Sequence, residues 1–309
     1  MLFENRQIKK EGCKIAIILG VHQILFQCIS AVLILFLQMA VSMLGVSGVE
    51  GIVLYIASDT AQLMLLSIFF IFHFVNRAKY KEHPIKKQSI LGVQYSKAIL
   101  LVFASNFVLT LLDYLFQYIT GHSLQPQMQM ETTSNPLFLF LTLAVFPAFA
   151  EEYMFRYVLY RYLRRYGIVF AAITSSMLFG FLHMNFLQLV FAACMGIVLC
   201  YVYEKTGTIV SAIFIHMLNN SISILFCMEG VSEQIKVAIQ CGIGMVCLIA
   251  LLYYVVKNWD SILKNIKEQK QEIHKCLYFF TSVPMMILTI ICITVCVFML
   301  LETKGISKV

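Results

Sequence analysis

Residues 144–165 read AVFPAFAEEYMFRYVLYRYLRR: two adjacent glutamates, Glu151 and Glu152, end an apolar run, and Arg156 follows the second by four residues. The fourteen residues before the pair, 137–150, carry no charge. A carboxylate closing so apolar a segment costs free energy unless it is paired or used in chemistry.

The rest of the chain has the same character. Its 309 residues are 60% hydrophobic and 13% charged, with a mean hydropathy of +0.84, where soluble domains carry roughly 25% charged residues. Apolar segments at 15–44, 52–75, 98–120, 136–155, 168–185, 187–203, 209–228, 237–256 and 276–301 each approach the ~20 residues that cross a hydrocarbon core. The expected fold is all-α, a polytopic transmembrane bundle of eight to nine spans. Three parts are expected within it: N-terminal spans over 1–135, a core over 136–228, and C-terminal spans with a charged connector over 229–309.

The formal net charge of +7 is not a nucleic-acid signature, because the basic residues lie in short loops between spans. Lys9, Lys10 and Lys14 precede the first span, and Arg77, Lys79, Lys81, Lys86 and Lys87 follow the second. Arg161, Arg164 and Arg165 follow the fourth, and Lys257, Lys264, Lys267, Lys270 and Lys275 follow the eighth. The intervening loop GHSLQPQMQMETTSN has neither Lys nor Arg. Under the positive-inside rule the N-terminus is cytoplasmic, and nine spans leave the C-terminus outside. The ten cysteines form no C-x-x-C pair and mostly sit in apolar runs as small hydrophobes. The first run is too long for a cleaved leader and reads as a retained span. Residues 257–275 read as an interfacial helical connector.

Ionisable residues inside spans are the functional candidates: Asp59, Asp113, Glu151 and Glu152, and among the histidines His22, His73, His183 and His216. On a helix Glu152 and Arg156 share a face and can neutralise each other. Glu151 is turned about 100° away and lacks that partner, which suits a general base acting on water. The plain alternative is that both glutamates brace a helix end. His216 and Asn220 also stand four residues apart and point into one space, either as a packing pair or as donors to an oxyanion.

Other hydrolase patterns fit poorly. No histidine precedes a glutamate, so the H-E-x-x-H zinc motif is absent. GVSG at 45–48 is a short serine-protease-like pattern in a loop. Asp59 and Asp113 lack the glycine-rich surround of an aspartyl dyad, and with His22 they leave an ion-coupled path open.

EEYMFR fits E-E-x-x-x-R, FGFLH (179–183) fits F-x-x-x-H, and HMLNN (216–220) fits H-x-x-x-N. In that order these motifs resemble the CAAX-processing and bacteriocin-processing intramembrane proteases, relatives of the Ras-converting endopeptidase. The likeness covers about 80 residues, 145–224. It implies a glutamate-dependent endopeptidase without a cofactor, acting on a membrane-associated peptide or protein in the lipid bilayer of a bacterial plasma membrane. By the same resemblance Glu151 activates water and His183 orients it or shares its proton. His216 and Asn220 stabilise the oxyanion, while Glu152, Arg156 and the motif's Phe179 support them. Zinc on His183, His216 and a glutamate remains the alternative. Where the family carries a Trp- and Pro-bearing stretch after its Thr-Gly turn, this chain reads TGTIVSAIF. The rival class is a non-catalytic immunity protein or a small transporter. The span limits also set Glu151 toward the cytoplasmic side and His183 toward the opposite side, a separation the chemistry must overcome.

Overall fold

The computed structural model describes residues 2–46, 48–86, 92–121, 123–124, 135–227 and 232–306. Ser47 of GVSG, Lys87, and most of the loop over 121–135 lie outside the described residues. Among the described residues every regular element is a helix. In chain order they are α1 (Leu2–Met43), α2 (Glu50–Val75), α3 (Arg77–Glu82), α4 (Gly92–Thr120), α5 (Pro136–Tyr166), α6 (Ile168–Phe181), α7 (Phe186–Thr206), α8 (Ile209–Cys227), α9 (Glu233–Lys257), α10 (Trp259–Glu268), α11 (Lys270–Phe280) and α12 (Val283–Ile306). Seven of these (α1, α2, α4, α5, α7, α9 and α12) are long and apolar enough to cross a membrane, and α6 and α8 are shorter apolar helices. Together they coincide with the nine apolar segments of the sequence.

The first helix begins at Leu2 rather than at 15, and two further span limits move, each for a physical reason. The fourth segment does not stop at 155: α5 runs on to Tyr166. Arg156 does not end it because Glu152 pairs with the guanidinium inside the helix, and Val158, Leu159 and Tyr160 then continue the buried face. The last segment is divided. Residues 276–280 finish α11, and the chain restarts at Val283 in α12, where Pro284, lacking an N–H, fits the first turn.

Local chemistry places the ends of the site helices. Asn135 caps α5, its Oδ1 accepting from the N–H groups of Leu137 (3.0 Å) and Phe138 (3.3 Å), with Pro136 at the first helical position. Gly167 ends α5 at φ 141°, a conformation that favours glycine. The next helix, α6, opens under a carboxylate from elsewhere in the chain: Glu272 of α11 accepts from Val169 N–H (2.8 Å) and Phe170 N–H (3.2 Å). α7 begins at Asn185, which accepts from Gln188 N–H at 3.0 Å, and ends at left-handed Gly207.

α6 is the buried centre, packed against α5, α7 and α11, while α1 lies against α2, α11 and α12. At Gly180 a Cβ would stand 2.5 Å from Leu189 O, so glycine permits the close approach of α6 and α7. One core joins Leu19 of α1, Phe155 of α5, Leu178 of α6, Phe279 of α11 and Met285 of α12. The C-terminal helices therefore pack directly on the helices that carry the site.

The basic clusters gather at one end of the bundle. Lys14 and Lys79 both reach Tyr162, Arg165 pairs with Glu11 at 2.8 Å, and Lys275 bonds Glu4 at 2.6 Å. The segment 257–275 is two helices, α10 and α11. α10 buries none of its residues, whereas α11 buries Cys276 and Phe279.

Candidate active site

The turn at Gly167 sets the level of the two motif residues that the predicted span limits had separated. Glu151 precedes Gly167 by 16 residues and His183 follows it by 16. The helices on either side of that glycine bring both residues into one cluster: Phe179 touches His183 and His216, and His216 in turn stands beside Glu151. α6 has 14 residues, about 21 Å at a rise of ~1.5 Å per residue, so it ends short of a full ~30 Å hydrocarbon core.

The predicted intrahelical pair is present. Arg156 Nη1 donates to Glu152 Oε1 at 2.8 Å, and both side chains are fully buried. His216 of α8 stands between the two glutamates. Its Nδ1 is 2.9 Å from Glu152 Oε1 and its Nε2 is 3.5 Å from Glu151 Oε2. Among the described residues Glu151 has no arginine partner but has an imidazole beside it, and its side chain is 26% exposed where that of Glu152 is 0%. One carboxylate is closed off while its neighbour stays accessible.

Phe179 is the hub of the remaining contacts. The Arg156 guanidinium lies 4.4 Å from its ring centroid, and the rings of His183 and His216 meet it edge-on at 4.9 Å and 5.8 Å. His183 directs Nδ1 to the carbonyl of Phe179 at 3.0 Å. A carbonyl only accepts, so Nδ1 carries the hydrogen and a neutral His183 keeps its Nε2 lone pair.

Asn220 is linked to the site through backbone. Its Nδ2 donates to Leu143 O at 3.3 Å, and its Oδ1 accepts from Asn219 at 3.3 Å. In an α-helix Leu143 O would accept from residue 147, and Pro147 has no N–H to give. The surrounding π-helical stretches, Phe140–Val145 and Tyr153–Tyr160, belong to the same irregular helix. Among the described residues Asn220 makes no hydrogen bond to Glu151 or His216, and one of its two amide hydrogens is used on Leu143.

Sequence reasoning missed Gly196 of α7. A Cβ there would meet Ser176 Cβ at 2.7 Å and Arg156 Nη2 at 3.0 Å, so the absent side chain is what admits the guanidinium. A lone glycine in an apolar helix, MGIVLC, was its only trace. The TGTIVSAIF turn closes without tryptophan or proline: Thr206 Oγ1 bonds both Thr208 N–H (3.1 Å) and Thr208 O (3.0 Å) around Gly207.

Three of the other span residues have neighbours that hold them. Asp113 accepts from Ser123 Oγ (2.9 Å) and Leu124 N–H (2.6 Å). His22 meets Phe69 edge-on at 5.4 Å, and His73 packs against Tyr80 and Tyr157. Among the described residues no group of three His, Cys, Asp or Glu side chains is placed to hold a metal ion.

Residues 133–222 match the family model described as Rce1-like, Type II CAAX prenyl endopeptidase Rce1-like. The match spans all three motifs and supports membership of the CAAX-protease family. No curated protein and no solved structure matches the chain.

Proposed function

From that family match and the apolar bundle that carries it, we propose that this integral membrane protein is an intramembrane endopeptidase in which Glu151 activates water. The observation that carries the reading is the unequal pair: an accessible Glu151 beside a Glu152 locked between Arg156 and His216. Glu151 takes a proton from water as the water oxygen attacks the peptide carbonyl. The His183 Nε2 lone pair orients that water or shares its proton. His216, held by the bond from its Nδ1–H to Glu152 Oε1, is assigned to the developing oxyanion through an Nε2–H. The second amide hydrogen of Asn220 is assigned to the same oxygen. Collapse of the tetrahedral intermediate breaks the C–N bond, and Glu151 returns the proton to the leaving nitrogen. The products are a carboxylate and an amine, with no cofactor in any step.

The positive-inside rule orients the basic end and the N-terminus to the cytoplasm. The substrate class is a membrane-associated peptide or protein, cleaved in peptide maturation or in bacteriocin self-immunity at a bacterial plasma membrane.

The test compares membrane and secreted peptides, by mass spectrometry, from cells expressing the native chain or Glu151→Gln at matched levels. Gln keeps the size and loses the base, so the expected fall in cleavage rate is about 10²–10⁴-fold. New peptide termini should be present with the native chain and absent with the variant. Identical peptide sets, with any phenotype retained by the variant, would replace this reading with a binding or transport role.

A further inference from the structure

The basic end holds an arrangement that the proposed peptidase does not use. Lys14 of α1 and Lys79 of α3 converge on the same two neutral oxygens. Lys14 Nζ is 3.5 Å from Tyr162 Oη and 3.5 Å from Asn76 Oδ1. Lys79 Nζ is 3.0 Å from Tyr162 Oη and 3.2 Å from Asn76 Oδ1. The two ammonium nitrogens are therefore no farther apart than two hydrogen-bond lengths, and among the described residues neither has a carboxylate partner.

Their shared acceptors are held firmly. Tyr162 is 1% exposed and Asn76 6%. Tyr162 gives its own hydrogen to Glu11 Oε2 at 2.8 Å, leaving its oxygen to accept from the lysines. Asn76 Nδ2 is committed to Phe72 O at 2.8 Å, which turns Oδ1 outward. Beside this pair is a cavity of about 310 Å³ lined by Gln7, Lys10, Glu11, Lys79, Arg165 and Tyr166. Glu11, the one carboxylate lining it, is occupied at both oxygens, by Arg165 Nη2 (2.8 Å) and by Tyr162. Lys10, Lys14, Lys79 and Arg165 against Glu11 leave a surplus of three positive charges, with donors still free on both lysines.

Positive-inside bias accounts for lysines at this end of the bundle. It does not account for two ammoniums drawn onto one buried hydroxyl: Glu11 on that hydroxyl and the rings of Phe72 and Tyr162 under the ammoniums offset part of the like-charge repulsion, and a bound anion would offset the rest. Compact ammonium charges with several donors suit a tetrahedral anion. We propose that Lys14, Lys79 and Lys10 form a binding site for a phosphate-class anion at the basic end of α1, α3 and α5. The source is either the headgroup of an anionic phospholipid or free phosphate. The site is independent of the peptidase assignment. Through Tyr162 it grips the same helix, α5, that carries Glu151.

The test uses the full chain purified in nonionic detergent and follows the thermal midpoint of unfolding. The probes are inorganic phosphate against chloride at equal ionic strength, and nanodiscs of phosphatidylglycerol against phosphatidylcholine. The variants are K14Q/K79Q and, as a control, K264Q/K267Q on exposed α10. The native chain and the control should gain several degrees with at least one phosphate-bearing probe, and K14Q/K79Q should lose most of that gain. A gain with phosphate in detergent assigns the site to the free anion, and a gain only with phosphatidylglycerol assigns it to the headgroup. No gain in the native chain with either probe overturns the proposal without recourse to a variant. So does an equal gain in K14Q/K79Q, or an equal loss in the control.

Discussion

Removing Arg156 should expose how the site tolerates a buried carboxylate. In the native chain Glu152 and Arg156 meet at 2.8 Å with both side chains fully buried. At an effective dielectric near 20 the Coulomb attraction at that distance is about 6 kcal/mol, most of which offsets desolvation of the two charges. Arg156→Met keeps the length of the chain but leaves Glu152 with His216 Nδ1 as its one partner. Breaking a buried pair from one side costs about 3–5 kcal/mol, and the lost contact between the guanidinium and Phe179 at 4.4 Å adds to that within the same range. The double variant Glu152→Gln/Arg156→Met removes both charges, and Gln can still accept from His216, so its loss should stay under about 2 kcal/mol. The assay is unfolding in mixed micelles, followed by labelling of buried thiols. Cys200 is a suitable reporter, because it is 1% exposed and lies within 3.5 Å of Ser175 Oγ on α6. Equal losses in the single and double variants would refute the reasoning, for they would mean that the stranded charge is not what destabilises the single variant.

Three further outcomes follow from the same geometry. Gly196→Ala sets a Cβ 2.7 Å from Ser176 Cβ and 3.0 Å from Arg156 Nη2, so it should cost about 1–3 kcal/mol and lower cleavage, whereas Gly242→Ala, with nothing within 4 Å of its Cβ, should not lose stability in the same unfolding assay. Glu272→Ala removes the acceptor for Val169 and Phe170 N–H at the start of α6; a stability loss of about 1.5–3 kcal/mol is expected, with a fall in peptide cleavage because α6 leads into His183 two residues past its end, and unchanged cleavage would detach His183 from the reaction. Burial pushes the Cys276 thiol above its ordinary value, so its thiolate fraction at pH 8 is lower than that of a free cysteine. Iodoacetamide should then leave Cys276 unmodified in the folded protein and modify it after denaturation, as read by peptide mass, and prompt labelling of the folded chain would contradict that burial.

The apolar segments were legible because a bilayer demands length and hydrophobicity together, and both are written in one dimension. The Glu152–Arg156 pair was legible because a helix places residues four apart on one face. The extent of α5 was not. Arg156 reads as the end of a span in any hydropathy argument, and only its neutralisation inside the helix lets the apolar face continue to Tyr166. Asn220 was legible as a polar group beside His216. Its bond to Leu143 O joins α8 to α5 in three dimensions, one turn before Pro147, which has no N–H to offer that carbonyl.

The level of His183 relative to Glu151 is where hydropathy limits and a count along the helices differ. Span limits drawn from hydropathy put the two residues on opposite sides, because each span was treated as crossing the full membrane. A short helix need not. Gly167 marks the reversal, and helices packed on either side of a reversal keep residues at equal separations from it roughly level, whatever the membrane limits are. Glu151 and His183 are each 16 residues from that glycine, and Phe179, one turn before His183, touches Arg156, one turn after Glu151. Counting from the turn rather than from the bilayer puts the candidate residues side by side. The same count suits an α6 of only 14 residues: its last turn, through Phe179, meets Arg156 and His216. A longer α6 would carry His183 past them.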